Sequence, residues 1–277
     1  MITITGSTGR IGGLVARTLA ADGIPLRLIV RDAARAPDLA QVEIRTADYA
    51  DADAVRRALD GAGPVLMVSG AEARDRLDAH RTFVDAAAAA GVDHLVYTSF
   101  LAASAAATFT LARDHWATEE HIRSTGLPFT FLRDSIYADF LPRMVGDDGV
   151  LRGPAGDGRA SVVAQADVAA AAVAVLRSLH EHRDRTYDIT GPAAITLYEA
   201  AQILTESTGR PVRYEPETID AAYASRASYG APQWQLDAWV STYTAIASGE
   251  LAIVSDDVAR LTGRPALSLA TVLRRSG

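Results

Sequence analysis

Residues 1–13 read Met-Ile-Thr-Ile-Thr-Gly-Ser-Thr-Gly-Arg-Ile-Gly-Gly, and they are the strongest indication of the fold in the sequence. An apolar strand, predicted over Ile2–Thr5, leads into a turn in which every third residue is glycine. Glycine permits a tight turn, a close approach by a phosphate group and close packing of the next helix on the strand. The N-terminus of that helix favours an anion, because its N–H groups are free and its dipole is positive there. The spacing predicts a dinucleotide-binding turn made of Gly6, Ser7, Thr8, Gly9, Arg10, Ile11 and Gly12.

A second apolar strand, predicted over Leu26–Val30, leads directly into Arg31. In dinucleotide-binding folds a residue at this place meets the adenosine ribose, where an acid selects NAD and a base accepts a 2′-phosphate. Arg31, with Arg10 and Arg35 as further candidates, therefore predicts NADP(H) as the cofactor. Asp32 argues in the other direction, since an acid favours NAD. An ordinary strand-to-helix turn with solvated charges is the alternative interpretation.

Length and composition favour an α/β protein that acts on a small molecule. The chain has 277 residues, of which 49% are hydrophobic, and a net charge of −7 without a long basic run, which argues against nucleic acid as a partner. Its apolar stretches are too short to span a bilayer, so we expect no membrane association. The first strand leaves no room for a signal peptide and cysteine is absent, so we expect a cytoplasmic protein, either a monomer or a homodimer.

The basic residues exclude several reaction types. All 27 of them are arginine, so Schiff-base catalysis, a P-loop lysine and the Tyr-x-x-x-Lys pair of conventional short-chain dehydrogenases are impossible. The absence of cysteine excludes thiol nucleophiles and cysteine-bound metals, and the six histidines form no HExxH motif. We therefore expect no metal site.

Strands and helices alternate through the first half, and this order predicts a doubly wound parallel sheet of the Rossmann type. Right-handed crossovers place the ligand crevice beyond the carboxyl ends of the strands. We expect residues 1–145 to form the NAD(P)-binding domain. Residues 146–277 are expected to form a smaller, mainly helical, substrate-covering lobe, partly interleaved with the first. Further strands are predicted over residues 42–46, 64–68, 94–98 and 129–132, with helices near 11–21, 53–59, 74–90 and 114–124.

The second half carries weaker signals. A glycine-rich loop is predicted over residues 153–158, and Thr196 with Glu199 has the spacing of a helix capping box. Five aromatic residues there either pack in the core, which is the commoner case, or form a substrate surface. They are Tyr223, Tyr229, Trp234, Trp239 and Tyr243.

Polar residues follow the third, fourth and fifth predicted strands, on the expected cofactor side. We expect the carboxylate after the third strand to accept a hydrogen bond from the adenine amino group. The Ser-Gly pair after the fourth strand allows close approach to the nicotinamide ribose, and the Thr-Ser pair of the fifth is expected to line the nicotinamide pocket. Ordinary turn chemistry is the alternative for each one. The residues concerned are Asp48, Tyr49, Ser69, Gly70, Thr98 and Ser99.

Several short motifs carry a resemblance to a known family. Besides the glycine turn they are Val30-Arg31, Ala47-Asp48-Tyr49, Tyr97-Thr98-Ser99, Asp114-His115 followed by Thr118-Glu119, Ala155-Gly156-Asp157-Gly158 and Gly263-Arg264-Pro265. In this order they resemble the NmrA-like branch of the short-chain dehydrogenase superfamily, and within it the bacterial NADPH:quinone oxidoreductases of type 2. The resemblance covers nearly the whole chain. It implies NADPH binding and hydride transfer to a quinone or a related conjugated carbonyl.

The same family includes proteins that hold the dinucleotide without turnover. A non-catalytic NADP(H)-binding redox sensor that acts through a protein partner is therefore the alternative function. The chain also departs from the family pattern, because Asp134-Ser135-Ile136-Tyr137 stands where Asn-Gly-Trp-Tyr is usual. This departure leaves the identity of the acceptor open.

Two side chains are candidate proton donors to the acceptor. His115 lies in a predicted helix and could donate as an imidazolium or through one nitrogen, or it could instead pair on the surface with Glu119 at i+4. Tyr137 follows the sixth strand and is either a donor or a core tyrosine. Both are predicted catalytic residues.

Overall fold

The computed structural model describes residues 1–276 and contains one large sheet and two small ones. The large sheet has seven strands, and each small sheet has two. The strands are β1 Ile2–Thr5, β2 Leu26–Val30, β3 Val42–Thr46, β4 Pro64–Met67, β5 His94–Phe100, β6 Phe129–Asp134, β7 Val150–Gly153, β8 Arg159–Ala160, β9 Arg185–Ile189, β10 Ile195–Thr196 and β11 Arg213–Pro216.

Helices follow most of these strands. The α-helices are α1 Arg10–Ala21, α2 Ala52–Leu59, α3 Arg76–Ala89, α4 Thr110–Thr125, α5 Gln165–Arg177, α6 Leu197–Thr208, α7 Ile219–Arg226, α8 Gln233–Ala247, α9 Asp257–Thr262 and α10 Leu269–Ser276. Short 3₁₀ helices cover Ala33–Arg35, Ala138–Met144, Leu179–Glu181 and Ala227–Tyr229. No helix within residues 1–276 is both long and apolar enough to cross a membrane.

The large sheet has the strand order β3-β2-β1-β4-β5-β6-β9. The pairs among its first five strands are all parallel, with Ile4 opposite Leu28 on one side and Leu66 on the other. The chain runs from β1 outward to β3 and then crosses back to β4, so the direction of winding reverses beside β1. Ligands of such sheets bind beyond the strand ends at this reversal. The predicted doubly wound fold is confirmed.

The central strands are buried along their whole length, although β1 contains two threonines and β2 contains Arg27. Every residue of β1 and β2 is buried, as expected for parallel strands covered by helices on both faces. Asp51 caps α2, because its carboxylate accepts a hydrogen bond from the Ala54 N–H at 2.9 Å. Three predicted elements were too short: β5 continues to Phe100, β6 continues to Asp134, and α4 begins at Thr110.

The chain forms two compact units whose boundaries differ from a division at residue 145. The first unit contains residues 1–100, 114–133 and 168–187. The second contains residues 101–113, 134–167 and 188–277, about half of the chain. The division at residue 145 stays a prediction of domain limits; the two compact units are similar in size, and they interleave along the chain.

The second unit contains two pairs of short strands as well as its helices. Strand β7 pairs in parallel with β11, and β8 pairs antiparallel with β10, on either side of the glycine-rich loop. These strands have two to four residues, too short for an alternating pattern to be visible in the sequence. The Thr196–Glu199 capping box at the start of α6 is confirmed.

Candidate dinucleotide site

The glycine turn between β1 and α1 has the geometry that its spacing predicts. Gly6 has φ +62°, and a Cβ atom there would lie 2.8 Å from the Val68 Cβ. The Gly9 N–H donates to the Gly6 carbonyl at 2.9 Å and closes the turn. A Cβ on Gly12 would lie 2.5 Å from the same carbonyl oxygen, so α1 can pack this closely on the turn only with glycine there.

The turn leaves groups that suit a phosphate. Gly9 is the N-cap residue of α1, and no side chain caps the N–H groups of the first helical turn. The Ser7 Oγ is buried and has no hydrogen-bond partner within the described residues. A buried hydroxyl without a hydrogen-bond partner destabilises the folded protein. An anion that accepts a hydrogen bond from this hydroxyl would remove that destabilisation. The residues present therefore fit a dinucleotide pyrophosphate.

A cavity of about 380 Å³ opens beside this turn, within the first unit. It lies at the carboxyl ends of β1, β2, β3 and β4, where the topology predicts a ligand. The structure brings together seven of the predicted cofactor-binding residues in its lining: Gly6, Thr8, Arg31, Asp48, Tyr49, Ser69 and Gly70. Ser7, Ile11 and Gly12 are buried in the turn and the start of α1, while Gly9 and Arg10 are exposed there.

Arg31 and Asp32, the two residues after β2, make different contacts. Arg31 is exposed and lines the cavity. The Asp32 carboxylate accepts a hydrogen bond from the Ala34 N–H at 3.0 Å and caps the short helix Ala33–Arg35. Asp32, the residue that argued for NAD, is thus engaged in a local cap.

Tyr49 joins two of the strands that border the cavity. Its hydroxyl donates to the Val68 carbonyl at 2.7 Å and lies in hydrogen-bond contact with the Thr5 hydroxyl. Burial raises the pKa of the Tyr49 phenol, so it remains protonated. The Val68 N–H in turn donates to Thr5 Oγ1 at 2.9 Å. Tyr49 therefore fixes the backbone that leads into Ser69 and Gly70.

The peptide groups of Gly70 are held by two side chains that the sequence interpretation missed. The Gly70 N–H donates to His80 Nε2 at 2.9 Å, and the Arg76 Nε–H donates to the Gly70 carbonyl at 2.9 Å. Both side chains come from α3 and line the cavity. The available signal was their i,i+4 spacing, which puts them on one face of the helix that follows Gly70.

These contacts determine the protonation of two buried histidines. A backbone N–H can only donate, so Nε2 of His80 is an acceptor and its proton is on Nδ1, which donates to Thr118 Oγ1 at 3.0 Å. Arg76 Nη2 likewise donates to His115 Nε2 at 2.9 Å, so His115 Nδ1 donates to the Tyr97 hydroxyl at 3.0 Å. We call Arg76, His80, Tyr97, His115 and Thr118 the Gly70 network.

Both histidines of this network are neutral. Burial, with a smaller contribution from the Arg76 charge, lowers the pKa of His80 to about 3. The same two causes lower the pKa of His115 well below its usual range. The expected imidazolium form of His115 does not fit this arrangement, because both ring nitrogens are engaged inside the protein. The expected surface pair with Glu119 is also wrong, since Glu119 is fully buried and binds Arg133 at 2.6 Å.

Thr98 and Ser99 are placed differently from our expectation. The Thr98 hydroxyl is buried and accepts a hydrogen bond from the Ser69 N–H at 2.8 Å, so it acts on the cavity through that peptide. The Ser99 hydroxyl is fully buried and donates to Glu119 at 2.6 Å. Neither side chain lines the cavity, because adjacent residues of a strand point to opposite faces and both faces of β5 are covered.

Tyr137 belongs to the second unit. It is half-buried, and its hydroxyl donates to Asp134 Oδ2 at 2.8 Å. Asp134 itself is buried. The Asp134 carboxylate, which stands where asparagine is usual in the family, thus accepts the hydrogen bond of the phenol. To donate to an acceptor, Tyr137 must first break its hydrogen bond with Asp134.

The aromatic residues of the second half divide into two groups. The Tyr223 hydroxyl binds the Asp237 carboxylate at 2.8 Å, and Trp234 is half-buried. The other three, Tyr229, Trp239 and Tyr243, line one cavity of the second unit. Three of the five residues therefore line a cavity, and the other two do not.

Comparisons with known proteins identify the family of the chain. Residues 1–224 match the model of the NmrA-like family. Quinone oxidoreductase 2 of Escherichia coli is 34% identical, over 98% of this chain and 96% of that protein. The (4-alkanoyl-5-oxo-2,5-dihydrofuran-3-yl)methyl phosphate reductase of Streptomyces griseus is 36% identical, over 96% and 94% of the two chains.

A solved structure shows the same fold with a cofactor present. The NADPH-dependent quinone oxidoreductase of Escherichia coli, crystallised with NADPH, superposes with a TM-score of 0.90. The two proteins are 33% identical, and the match covers 100% of this chain and 99% of that one. By its sequence over residues 1–224, its glycine turn and its fold, the chain belongs to the NmrA-like family.

Proposed function

We propose that the chain is an NADPH-dependent oxidoreductase that transfers hydride to a quinone or a related conjugated carbonyl. The observation that carries the proposal is the cavity that joins the glycine turn to an exposed arginine after β2. The names of two relatives support the acceptor class, since one describes a quinone oxidoreductase and the other a reductase of an unsaturated furanone.

The residues of the first unit bind and orient the dinucleotide. The N–H groups at the start of α1 and the Ser7 hydroxyl bind its pyrophosphate. Arg31 pairs with the 2′-phosphate that distinguishes NADPH from NADH. Asp48 would hold the adenine, and the peptides of Ser69 and Gly70 would hold the nicotinamide ribose, since all three residues line the cavity. The Gly70 network keeps those peptides in place.

The bound cofactor supplies the hydride. A quinone stabilises the negative charge that it receives, so the protein needs chiefly to orient the reactants and to offer a hydrogen-bond donor. We assign that donor to Tyr137, whose phenolic proton is shared with Asp134. His115 acts from a distance as a neutral positioning residue, because its Nε2 accepts a hydrogen bond from Arg76.

Stopped-flow mixing of protein and NADPH with simple and polycyclic quinones tests the proposal. We expect NADPH oxidation above the uncatalysed background with the wild type and none with Gly12→Ala, whose added Cβ would clash with the Gly6 carbonyl oxygen. Loss of oxidation across the whole panel would overturn the quinone assignment. Negligible turnover together with strong discrimination between NADP⁺ and NADPH would instead indicate a redox sensor that acts through a protein partner.

A further inference from the structure

The second unit contains a cavity of about 630 Å³ that the proposed reaction does not use. Its walls come from the 3₁₀ helix Ala138–Met144 with the residues after it, from β7, and from the helices α7 and α8. Sites for small molecules have volumes of roughly 300–1,000 Å³. The cavity is therefore large enough for a molecule of two or three fused rings.

Aromatic rings form much of its wall. Tyr229 and Trp239 are in edge-to-face contact, with ring centroids 5.9 Å apart and planes at 90°. Tyr229 is 71% exposed, an unusual position for a large ring. The Tyr243 ring is buried, with the Arg226 guanidinium 5.0 Å from its centroid. These surfaces favour a flat, conjugated ligand.

The charged residues of the wall all have the same sign. Arg143, Arg152 and Arg226 line the cavity, and the lining contains no Asp or Glu. Two of these cations already have carboxylate partners outside the lining. Arg226 pairs with Glu217 at 2.9 Å, and Arg152 pairs with Asp148 and Glu215.

Arg143 differs from the other two arginines. It is exposed, and its guanidinium lies 5.8 Å from the centroid of the Phe140 ring. None of the ion pairs found among residues 1–276 involves it. A guanidinium of this kind binds a carboxylate, sulfonate or phosphate through paired hydrogen bonds.

We propose that this cavity binds a planar aromatic or conjugated molecule that carries an acidic group. The rings of the ligand pack against Trp239 and Tyr229, and its acidic group pairs with Arg143. The inference concerns binding alone, so it does not depend on the proposed hydride transfer.

Calorimetric titration without NADPH tests the proposed binding, because no turnover can then consume the ligand. The probes are a naphthoquinone sulfonate, which is anionic, and menadione, which has the same ring system without the charge. We expect the wild type to bind the sulfonate more tightly than menadione. Arg143→Gln should weaken binding of the sulfonate about tenfold and leave binding of menadione unchanged.

Two further variants complete the design. Trp239→Leu should weaken binding of both probes, since it removes the ring surface that they share. Arg274→Gln, which removes an exposed arginine of α10 outside the cavity, should alter neither. Equal affinities of the wild type for the two probes, or equal losses in Arg143→Gln and Arg274→Gln, would overturn the inference. Failure of quinone reduction would leave these titrations unaffected, so the two proposals fail separately.

Discussion

The first-unit cavity has one edge after β2 and another after β4. The arginine at the first edge is exposed, and the arginine at the second is buried. After β2, Arg31 is exposed and free to meet a ligand charge directly. After β4, Arg76 is only 5% exposed and binds the Gly70 carbonyl and His115. The first edge recognises the ligand with a side chain, whereas the second presents a backbone that buried side chains hold in place. The two edges should therefore respond differently to mutation.

The largest effect is expected at the exposed edge. Arg31→Ala should weaken NADPH binding by roughly ten- to a hundredfold, because a charge-assisted hydrogen bond contributes about 1.5–3 kcal/mol. Binding of NADH, which lacks the 2′-phosphate, should change little. Fluorescence titration with both dinucleotides measures the ratio. Arg56→Ala is the matched control, since Arg56 is also exposed and lies outside the cavity lining. Equal losses for NADPH and NADH would contradict the assignment of Arg31.

The difference between the exposed and the buried edge also explains which parts of the fold and of the site were predictable from the sequence. The glycine turn, the sheet and Arg31 follow from local spacing, because each depends on residues close together in the chain. The Gly70 network joins α3, β5 and α4, and its contacts span up to 39 residues. Ser99 shows that sequence alone does not reveal such contacts. A serine near the end of the fifth strand suggested a ligand contact, but its hydroxyl binds buried Glu119. Burial and tertiary contact decide such cases, and local patterns do not encode them.

The buried edge should make the fold sensitive to acid. In the unfolded chain His80 takes up a proton below its ordinary pKa of 6.5, whereas in the folded protein its pKa is about 3. The unfolded state therefore binds more protons between these values, and stability falls as the pH falls through this window. At pH 5 the loss from His80 is about 2 kcal/mol relative to neutral pH.

Denaturant unfolding at several pH values measures this effect. His80→Gln, which does not titrate, should show a smaller loss of unfolding free energy between pH 7 and pH 5 than the wild type. His180→Gln removes an exposed histidine and should leave the pH dependence as it is. Parallel curves for His80→Gln and the wild type would show that His80 is not held neutral.

A somewhat smaller effect is expected on cofactor affinity at the same edge. His80→Leu removes the acceptor of the Gly70 N–H and should weaken NADPH and NADH binding alike, by about tenfold, since an unsatisfied polar group costs roughly 1–3 kcal/mol. His80→Gln should restore much of the affinity, because its amide oxygen can accept that hydrogen bond. His94→Leu removes another buried histidine of the first unit, which binds Thr130, and should lower stability without changing affinity. Selective loss of NADPH binding alone in His80→Leu would contradict the distinction between the edges.

The smallest effect is expected at Asp32, next to Arg31. Its carboxylate caps the helix Ala33–Arg35, so Asp32→Ala should lower the free energy of unfolding by about 1 kcal/mol or less. The ratio of NADPH to NADH affinity should stay the same, because the capping contact does not involve a ligand. Chemical denaturation and the same fluorescence titrations measure the two quantities. If NADH binding weakens while stability is unchanged, Asp32 contacts the ribose, and the recognition that we assign to Arg31 alone is shared between the two residues.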